Sequence, residues 1–588
     1  MTQYPDTGRV LFPDGDFVRA YTDPVEIVTT DRLEAVLPAL ATLEGRVAAG
    51  CHVAGFLAYE AAAAFDPALQ THPRGALPLL WFGVYEAART LPRPDPAPPQ
   101  SPAIHWRPCL TEDAYFGALE RIRDHLAAGD SYQVNFTFPM EATFNAAPEP
   151  WFWERLAAQE CRHGAYLDLG SHQIMSLSPE LFFALDGNAL VTRPMKGTRP
   201  RGLSPREDNA LADALAHSPK DRAENLMIVD MLRNDLGRIC DLNSIQVPAL
   251  FSVERYPTVW QMTSTVTGQS PTGIPQILAA LFPSASVTGA PKIETMKIIR
   301  ALEPEPRGVY CGAIGWWAPG RRARFNVAIR TATLDQATGV ARYPAGSGIT
   351  WDSEPAAEYS ECLQKTAVLQ HVRPAFSIIS ALRLDETGLF LPDMHLDRLA
   401  ASAAYFGYPF DRQTVREALE SYASDIGTRP AKVRIALDRR GTPALTHEIL
   451  SPPAPWRLGL ALAPVDPSQP WLYHKTTHRK VYEDAQATRP DCDAVLLWTA
   501  AGRITEATVA NVVLRFGERR FTPPTADGLL DGIFRRHLLE TGLIEEKTLT
   551  LDDLARADEI ALINSVRRWI PVTWVPHTGA PASLQDIR

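Results

Sequence analysis

The 588-residue chain lacks the features expected of a secreted, membrane-spanning or nucleic-acid-binding protein. Its seven cysteines (Cys51, Cys109, Cys161, Cys240, Cys311, Cys362 and Cys492) are an odd number without CxxC or finger spacing. That argues against a disulfide or zinc framework and for reduced thiols. No run of about 18 apolar residues occurs, so no segment is expected to span a bilayer. The opening MTQYPDTGRV has neither the charged nor the apolar region of a signal peptide, which leads us to expect a soluble, cytoplasmic protein. Positive charge is scarce as well. A net charge of −10 argues against a nucleic-acid surface, and any anionic substrate must be met by a local cluster of arginine and lysine.

An apolar fraction of 45% and a charged fraction of 21% are those of an ordinary globular protein. The length exceeds what one core can organise. Leu91 to Pro102, LPRPDPAPPQSP, holds six prolines and reads as an extended connection. We therefore expect segments at 1–102, 103–372 and 375–588. Helix and strand signals mix without βα alternation, which predicts an α+β fold, with antiparallel sheets in the first two segments.

The stretch Lys220 to Ile239 is the most informative. Leu226, Val229, Leu232 (or Met231) and Leu236 recur at helical spacing, and Gly237 is a stop signal. Asp221 and Glu224, at i and i+3, project from one face of the helix start. Taken alone, such a pair reads as surface charge complementing the helix dipole. A second stretch, Glu358-Tyr-Ser-Glu361-Cys-Leu-Gln-Lys365, repeats the pair and adds a lysine one turn on. Two such pairs facing each other would form an all-oxygen cage for a hard cation, Mg²⁺ above all. Asp113 to Ala127 reads as a further amphipathic helix. Tyr132 to Phe136 reads as a strand, and Gly346-Ser-Gly348 as a tight turn or a close backbone approach.

Nine motifs, including GDSYQVNF, SLSPELF, RPMKGTRPRG, SVTGAPK, RGVYCGAIG, AGSGI and EYSECLQK, occur in an order that resembles the chorismate-utilising family. Within that family the chain is similar to its aminodeoxychorismate synthase branch. The resemblance implies that Lys196 is a nucleophile, where anthranilate-forming relatives usually carry alanine, and that Glu180 is the general acid. It implies Glu224 and Glu361 as Mg²⁺ ligands, with Asp221 and Glu358 as outer partners. Arg330, Lys365 and Tyr310 match residues that hold substrate carboxylates. Thr288, Gly289 and Ala290, with Gly346, Ser347 and Gly348, match backbone contacts to the same groups. Gln133 stands where isochorismate-forming relatives place a basic lysine, and Gln261 where many relatives carry a histidine. The substrates implied are chorismate and ammonia. No glutaminase site is recognisable, so ammonia would come from solution or from a glutamine amidotransferase subunit.

From about residue 375, HLDRL, HKTTHRKVYEDA, GRITEATVANVV, DGLLDGIFRR and INSVRRWIPV resemble fold-type IV pyridoxal-phosphate enzymes, in particular the aminodeoxychorismate lyase branch. The resemblance implies that Lys475 carries pyridoxal 5'-phosphate and Glu506 faces its ring nitrogen. Arg398, Gly532, Ile533, Asn564 and Ser565 match phosphate contacts. Phe534 departs from the threonine common at its position. The two activities implied would act in succession, giving p-aminobenzoate for folate synthesis. An anthranilate synthase-like first part, with an aminotransferase or an inactive docking module as the second, is the alternative.

Overall fold

The structure is a computed structural model, and it describes residues 8–94, 101–367, 369–370, 374–427 and 429–576. The middle of the proline-rich stretch and the expected boundary near residue 372 lie outside the described residues. The chain divides into two compact units: residues 1–201 with 211–373, and residues 374–588 with 202–210.

The first unit holds two ten-stranded sheets built from antiparallel pairs. Strands from before the proline-rich stretch belong to both. Arg9–Asp14 pairs with Ala165–Asp168 in one sheet, and His52–Leu57 pairs with Ala313–Ala318 in the other. Residues 8–94 therefore share their sheets with strands from beyond the proline-rich stretch. Apolar side chains from both sheets pack together, Val10, Leu167 and Ile174 from one with Phe56 and Ile314 from the other.

The strand expected at Tyr132 to Phe136 is longer, Gln133–Thr143. Pro139 does not end it, because its nitrogen faces away from the partner strand Val340–Ile349. On that same side the Asn135 N–H goes to Thr288 O, the Thr137 N–H to Glu303, and Pro139 O accepts from Cys109 N. The missing N–H therefore costs no bond to Val340–Ile349. Gly346 to Gly348 is a close approach rather than a turn. A Cβ at Gly346 would lie 2.4 Å from Thr137 Cγ2, and one at Gly348 2.0 Å from Gln133 Nε2.

The helix expected from Lys220 runs Pro219–Gly237, capped by the Ser218 hydroxyl, which accepts the Asp221 N–H at 3.3 Å. Its buried face is Asn225, Ile228, Val229, Leu232 and Leu236. Leu226 is 42% exposed, so that member of the expected stripe is corrected to Ile228, which 3.6-residue periodicity places beside Leu232 and Asn225. The second acidic pair stands on Pro355–Ala367.

The second unit combines a four-stranded sheet, order Gly388–Leu389, Ile378–Asp385, Ala431–Leu437, Pro443–Ile449, with an eight-stranded sheet. The latter contains parallel pairs, Trp456–Leu460 lying between Ala494–Trp498 and Arg568–Trp574. Both units mix helices with sheets, the expected α+β class. All seven cysteines are free thiols. No helix among the described residues is long and apolar enough to cross a membrane.

The packing of His52–Leu57 against its neighbour Leu80–Tyr85 can be tested at Gly55. A Cβ there would stand 2.0 Å from Trp81 O and 2.7 Å from Phe82 Cα, both backbone atoms. Gly55→Ala should cost about 1–3 kcal/mol through overpacking, read as a lower Tm of the first unit's thermal transition. An unchanged Tm would contradict the strand contact.

Candidate active sites

In the first unit Lys196 sits on Met195–Pro200, where pairing with Val259–Gln269 slips register between Met195 and Thr198. Gly197 has φ +93°, and a Cβ there would come within 3.0 Å of Asp221 Cβ. Two neighbours clamp this bulge. Asn225 Nδ2 donates to Lys196 O at 3.4 Å, and Gln261 Nε2 donates to Gly197 O at 2.8 Å. The Thr198 hydroxyl donates to Gln261 Oε1 at 3.0 Å. Gln261 thus braces the lysine's own turn through both ends of its amide.

Burial depresses the Lys196 amine below the ordinary lysine range. Glu224, Glu180 and Glu361 oppose the shift, and Lys365 adds to it. Loss of water favours the neutral, nucleophilic form. Lys196 Nζ lies 3.1 Å from the point a Cβ on Gly348 would occupy, a point only 2.0 Å from Gln133 Nε2. Glycine at 348 thus leaves room for both side chains. Gln133 is 2% exposed, and its Oε1 has no hydrogen-bond partner among the described residues. Glu180 is 3% exposed, and burial pushes its carboxyl up to about 7 against the pull of Ser286, Lys196 and the Met195 N–H. A carboxyl at that value still carries a proton near neutrality, as a general acid must.

The four acidic residues act on each other unevenly. Burial raises the Glu224 carboxyl, with Asp221 and Glu358 adding repulsion and Lys196 and Lys220 opposing it. Arg199 pairs with Asp221 at 3.6 Å, and Lys365 Nζ with Glu361 at 2.8 Å. Among the described residues no three His, Cys, Asp or Glu side chains converge as one metal shell, so no closed four-carboxylate cage is formed. The oxygen donors and the mutual repulsion around Glu224 still suit Mg²⁺, which keeps several waters and needs only one or two protein carboxylates.

The remaining expected contacts surround the same strands. Thr288 O accepts the Asn135 N–H at 2.8 Å, and Gly289–Ala290 pairs with Gln133 and Val134. Lys365 Nζ also donates to Gly346 O at 2.8 Å, and Ser347 Oγ lies 3.2 Å from Tyr115 OH. Tyr310 is buried, and Arg330 adopts φ +50°. The charge of Arg330 acts on Tyr343, which also acts on Tyr310.

In the second unit a cleft of about 470 Å³ is lined by Lys475, Arg398, Glu506, Gly532, Ile533, Asn564 and Ser565, so it gathers every residue expected to bind the cofactor. Burial lowers the Lys475 amine to about 7, helped by Arg398, Arg479 and Lys432 and opposed by Glu506. Glu506, 4% exposed, accepts Tyr482 OH at 2.7 Å, Leu530 N at 3.1 Å and Asn511 Nδ2 at 3.2 Å. Burial nevertheless raises its carboxyl to about 7. Arg398 donates to Ser380 Oγ at 3.1 Å and to Asp531 O at 3.5 Å. Asn564 Oδ1 accepts from Val566 N and Arg567 N, which fixes the turn carrying Ser565.

Phe534 does not line the cleft. It is 5% exposed and packs with Val513, Leu538, Ile544 and Ile563, so core packing sets its identity. Sequence reasoning missed Tyr482, Ser380 and the bracing of Lys196 by Asn225 and Gln261. Tyr482 lies inside the HKTTHRKVYEDA run, but only the fold turns it toward Glu506. The donor set fits pyridoxal phosphate: a buried amine, an acid held by three donors, and an arginine beside a helix start suited to a dianion.

Residues 13–371 match the chorismate binding enzyme family. The chain belongs to that family. Residues 378–575 match the amino-transferase class IV family. The chorismate-binding part is 41% identical over 268 residues to aminodeoxychorismate synthase component 1 of Klebsiella aerogenes, covering 45% of this chain and 59% of that one. It is also 41% identical over 262 residues to the same component of Escherichia coli (strain K12), covering 44% and 57%. The chain thus spans a little over half the length of these curated relatives. The crystal structure of anthranilate synthase component I from Streptococcus pneumoniae TIGR4 superposes with a TM-score of 0.52 at 25% identity, covering 63% of this chain and 93% of that one.

The cleft of the second unit yields a pH prediction. In cofactor-free protein Lys475 should become half-reactive to reductive methylation near pH 7 rather than near 10.5, as read by peptide mass spectrometry. Since the Glu506 charge holds the amine up, Glu506→Gln should move that midpoint lower. A midpoint that rises would contradict the arrangement.

Proposed function

We propose that the chain is a cytoplasmic enzyme that aminates chorismate to 4-amino-4-deoxychorismate in its first unit and releases pyruvate from that product in its second, giving p-aminobenzoate. The observation that carries this reading is the buried Lys196 amine, held among Glu180, Glu224 and Glu361. The 41% identity to aminodeoxychorismate synthase components and the class IV match of the second unit support it.

In the first unit neutral Lys196 attacks ring C2. Both conjugated ring double bonds shift, C1=C2 to C1=C6 and C5=C6 to C4=C5, and the C4–O bond breaks. Glu180 gives its proton to the departing hydroxyl, which leaves as water. Ammonia then attacks C4, both double bonds shift back, and the C2–N bond to Lys196 breaks. The basic side chains of Lys365 and Arg330 and the Thr288–Ala290 and Gly346–Gly348 backbones orient the substrate carboxylates. Gln133 is non-basic, so it does not activate water as a competing nucleophile. Glu224 and Glu361 would hold Mg²⁺, with Asp221 and Glu358 behind them; the ion would supply charge neutralisation for a substrate carboxylate. A separate glutamine amidotransferase subunit would supply the ammonia.

In the second unit Lys475 would carry pyridoxal phosphate, Glu506 would face its ring nitrogen, and Arg398 with the Gly532–Ile533 turn would take its phosphate. The cofactor supplies an electron sink that acidifies the C–H beside the bound nitrogen. Lys475, with an amine near 7, accepts that proton at Nζ. Elimination of the enolpyruvyl group and aromatisation then complete the reaction.

Lys196→Ala should abolish amination of chorismate, while pyruvate release from supplied aminodeoxychorismate continues. A covalent adduct trapped on another lysine, such as Lys292, would overturn the assignment. Lys475→Ala should lose the cofactor's visible absorbance and accumulate aminodeoxychorismate, detected by chromatography. Glu361→Ala should lose Mg²⁺-dependent amination only. If its Mg²⁺ requirement matches that of the native chain, Glu361 is not a ligand.

A further inference from the structure

A buried ion pair outside the reacting cluster ties together the strands that the proposed function uses for substrate. Glu303 ends the helix Lys292–Leu302 and is 4% exposed; Arg307 is 8% exposed. Arg307 grips Glu303 with two N–H groups, Nε at 2.8 Å and Nη2 at 2.7 Å. Its other hydrogen bonds go to main chain, Nη1 to Val287 O at 2.9 Å and Nη2 to Asn135 O at 2.7 Å, and its guanidinium lies over the Tyr59 ring at 4.6 Å. Glu303 Oε1 in turn accepts the Thr137 N–H at 2.8 Å and the Thr137 hydroxyl at 3.0 Å.

These bonds fall at chosen places. Val287 precedes Thr288, whose carbonyl accepts the Asn135 N–H. Thr137 lies directly opposite Gly346 in the strand pairing. Glu60, 2% exposed, accepts the N–H groups of Arg307 at 2.7 Å and Gly308 at 3.0 Å, just before Tyr310. An apolar pair could fill this volume at equal or better stability, because burying two charges is costly. It could not fix the backbone at both Val287 and the Gln133–Thr143 strand.

The geometry points to Glu303 and Arg307 as positioning residues that set the affinity of the first site for its ring dicarboxylate, by holding the Thr288–Ala290 and Gly346–Gly348 backbones in place. The inference rests on the proposed function of that site. Backbone contacts to the carboxylates are equally present before and during amine attack, so their loss acts on binding rather than on turnover.

Arg307→Lys in the full chain tests this. It keeps a cation against Glu303 but cannot fork to Val287 O and Asn135 O together. The KM for chorismate should rise about tenfold or more with kcat within about threefold. Chorismate affinity by equilibrium dialysis should fall by the same factor, and pyruvate release by the second unit should not change. The double variant Glu303→Gln/Arg307→Gln, which leaves no unpaired buried charge, should move KM the same way. If kcat falls while KM and affinity hold, the pair is only structural and the inference fails. It also fails if neither constant moves. A native chain that neither binds nor turns over chorismate overturns the proposed function as well.

Discussion

The antiparallel pairing of Gln133–Thr143 with Val340–Ile349 is the constraint on which the first unit's candidate site depends. Glycine at 346 lets Thr137 and the Phe136 carbonyl lie against its backbone, and glycine at 348 leaves room for the Gln133 and Lys196 side chains. That closeness brings Gln133 beside the lysine at 196 and lets Gly346 O accept from Lys365. Larger residues there would separate the groups the chemistry needs to share. The acid, the amine and the backbone groups are thus arranged by absence of volume as much as by charge.

The two candidate sites solve one electrostatic problem twice. Each buries a lysine and places a buried glutamate near it, and in each the glutamate is lifted to about 7 while the amine is lowered. Desolvation, the largest cause in all four groups, penalises charge of either sign. The partners differ. In the first site carboxylates outnumber cations around the amine, which suits a site shared with a divalent ion. In the second, arginines flank the amine, which suits a cofactor that brings its own negative charge.

Periodicity made the helix at 219–237 and the paired carboxylates legible, because helical spacing is local. It failed at Leu226, where one residue's drift around the helix turned a side chain to solvent. The strand beyond Phe136 was hidden by Pro139. Its tolerance depends on which side of the strand its nitrogen faces, away from Val340–Ile349, and no local rule sees that. The role of Gln261 was hidden in the same way. In the sequence it stands only as a replacement for histidine that cannot carry a proton; in the fold it clamps the turn of Lys196. The residues of the second cleft were legible through family motifs, while Tyr482 and Ser380 became visible only as neighbours of Glu506 and Arg398.

The weave of the first unit has a bearing on how the chain is made. Arg9–Asp14 and His52–Leu57 emerge early from synthesis, yet their partners Ala165–Asp168 and Ala313–Ala318 come much later. Until then those strands present unpaired edges, the state in which β-segments are most open to wrong partners. Non-local pairing of this kind also slows folding, since loop closure precedes any gain from contact. The early strands therefore wait on the ribosome's progress, and a fragment ending before residue 313 would leave the second sheet with an open seam.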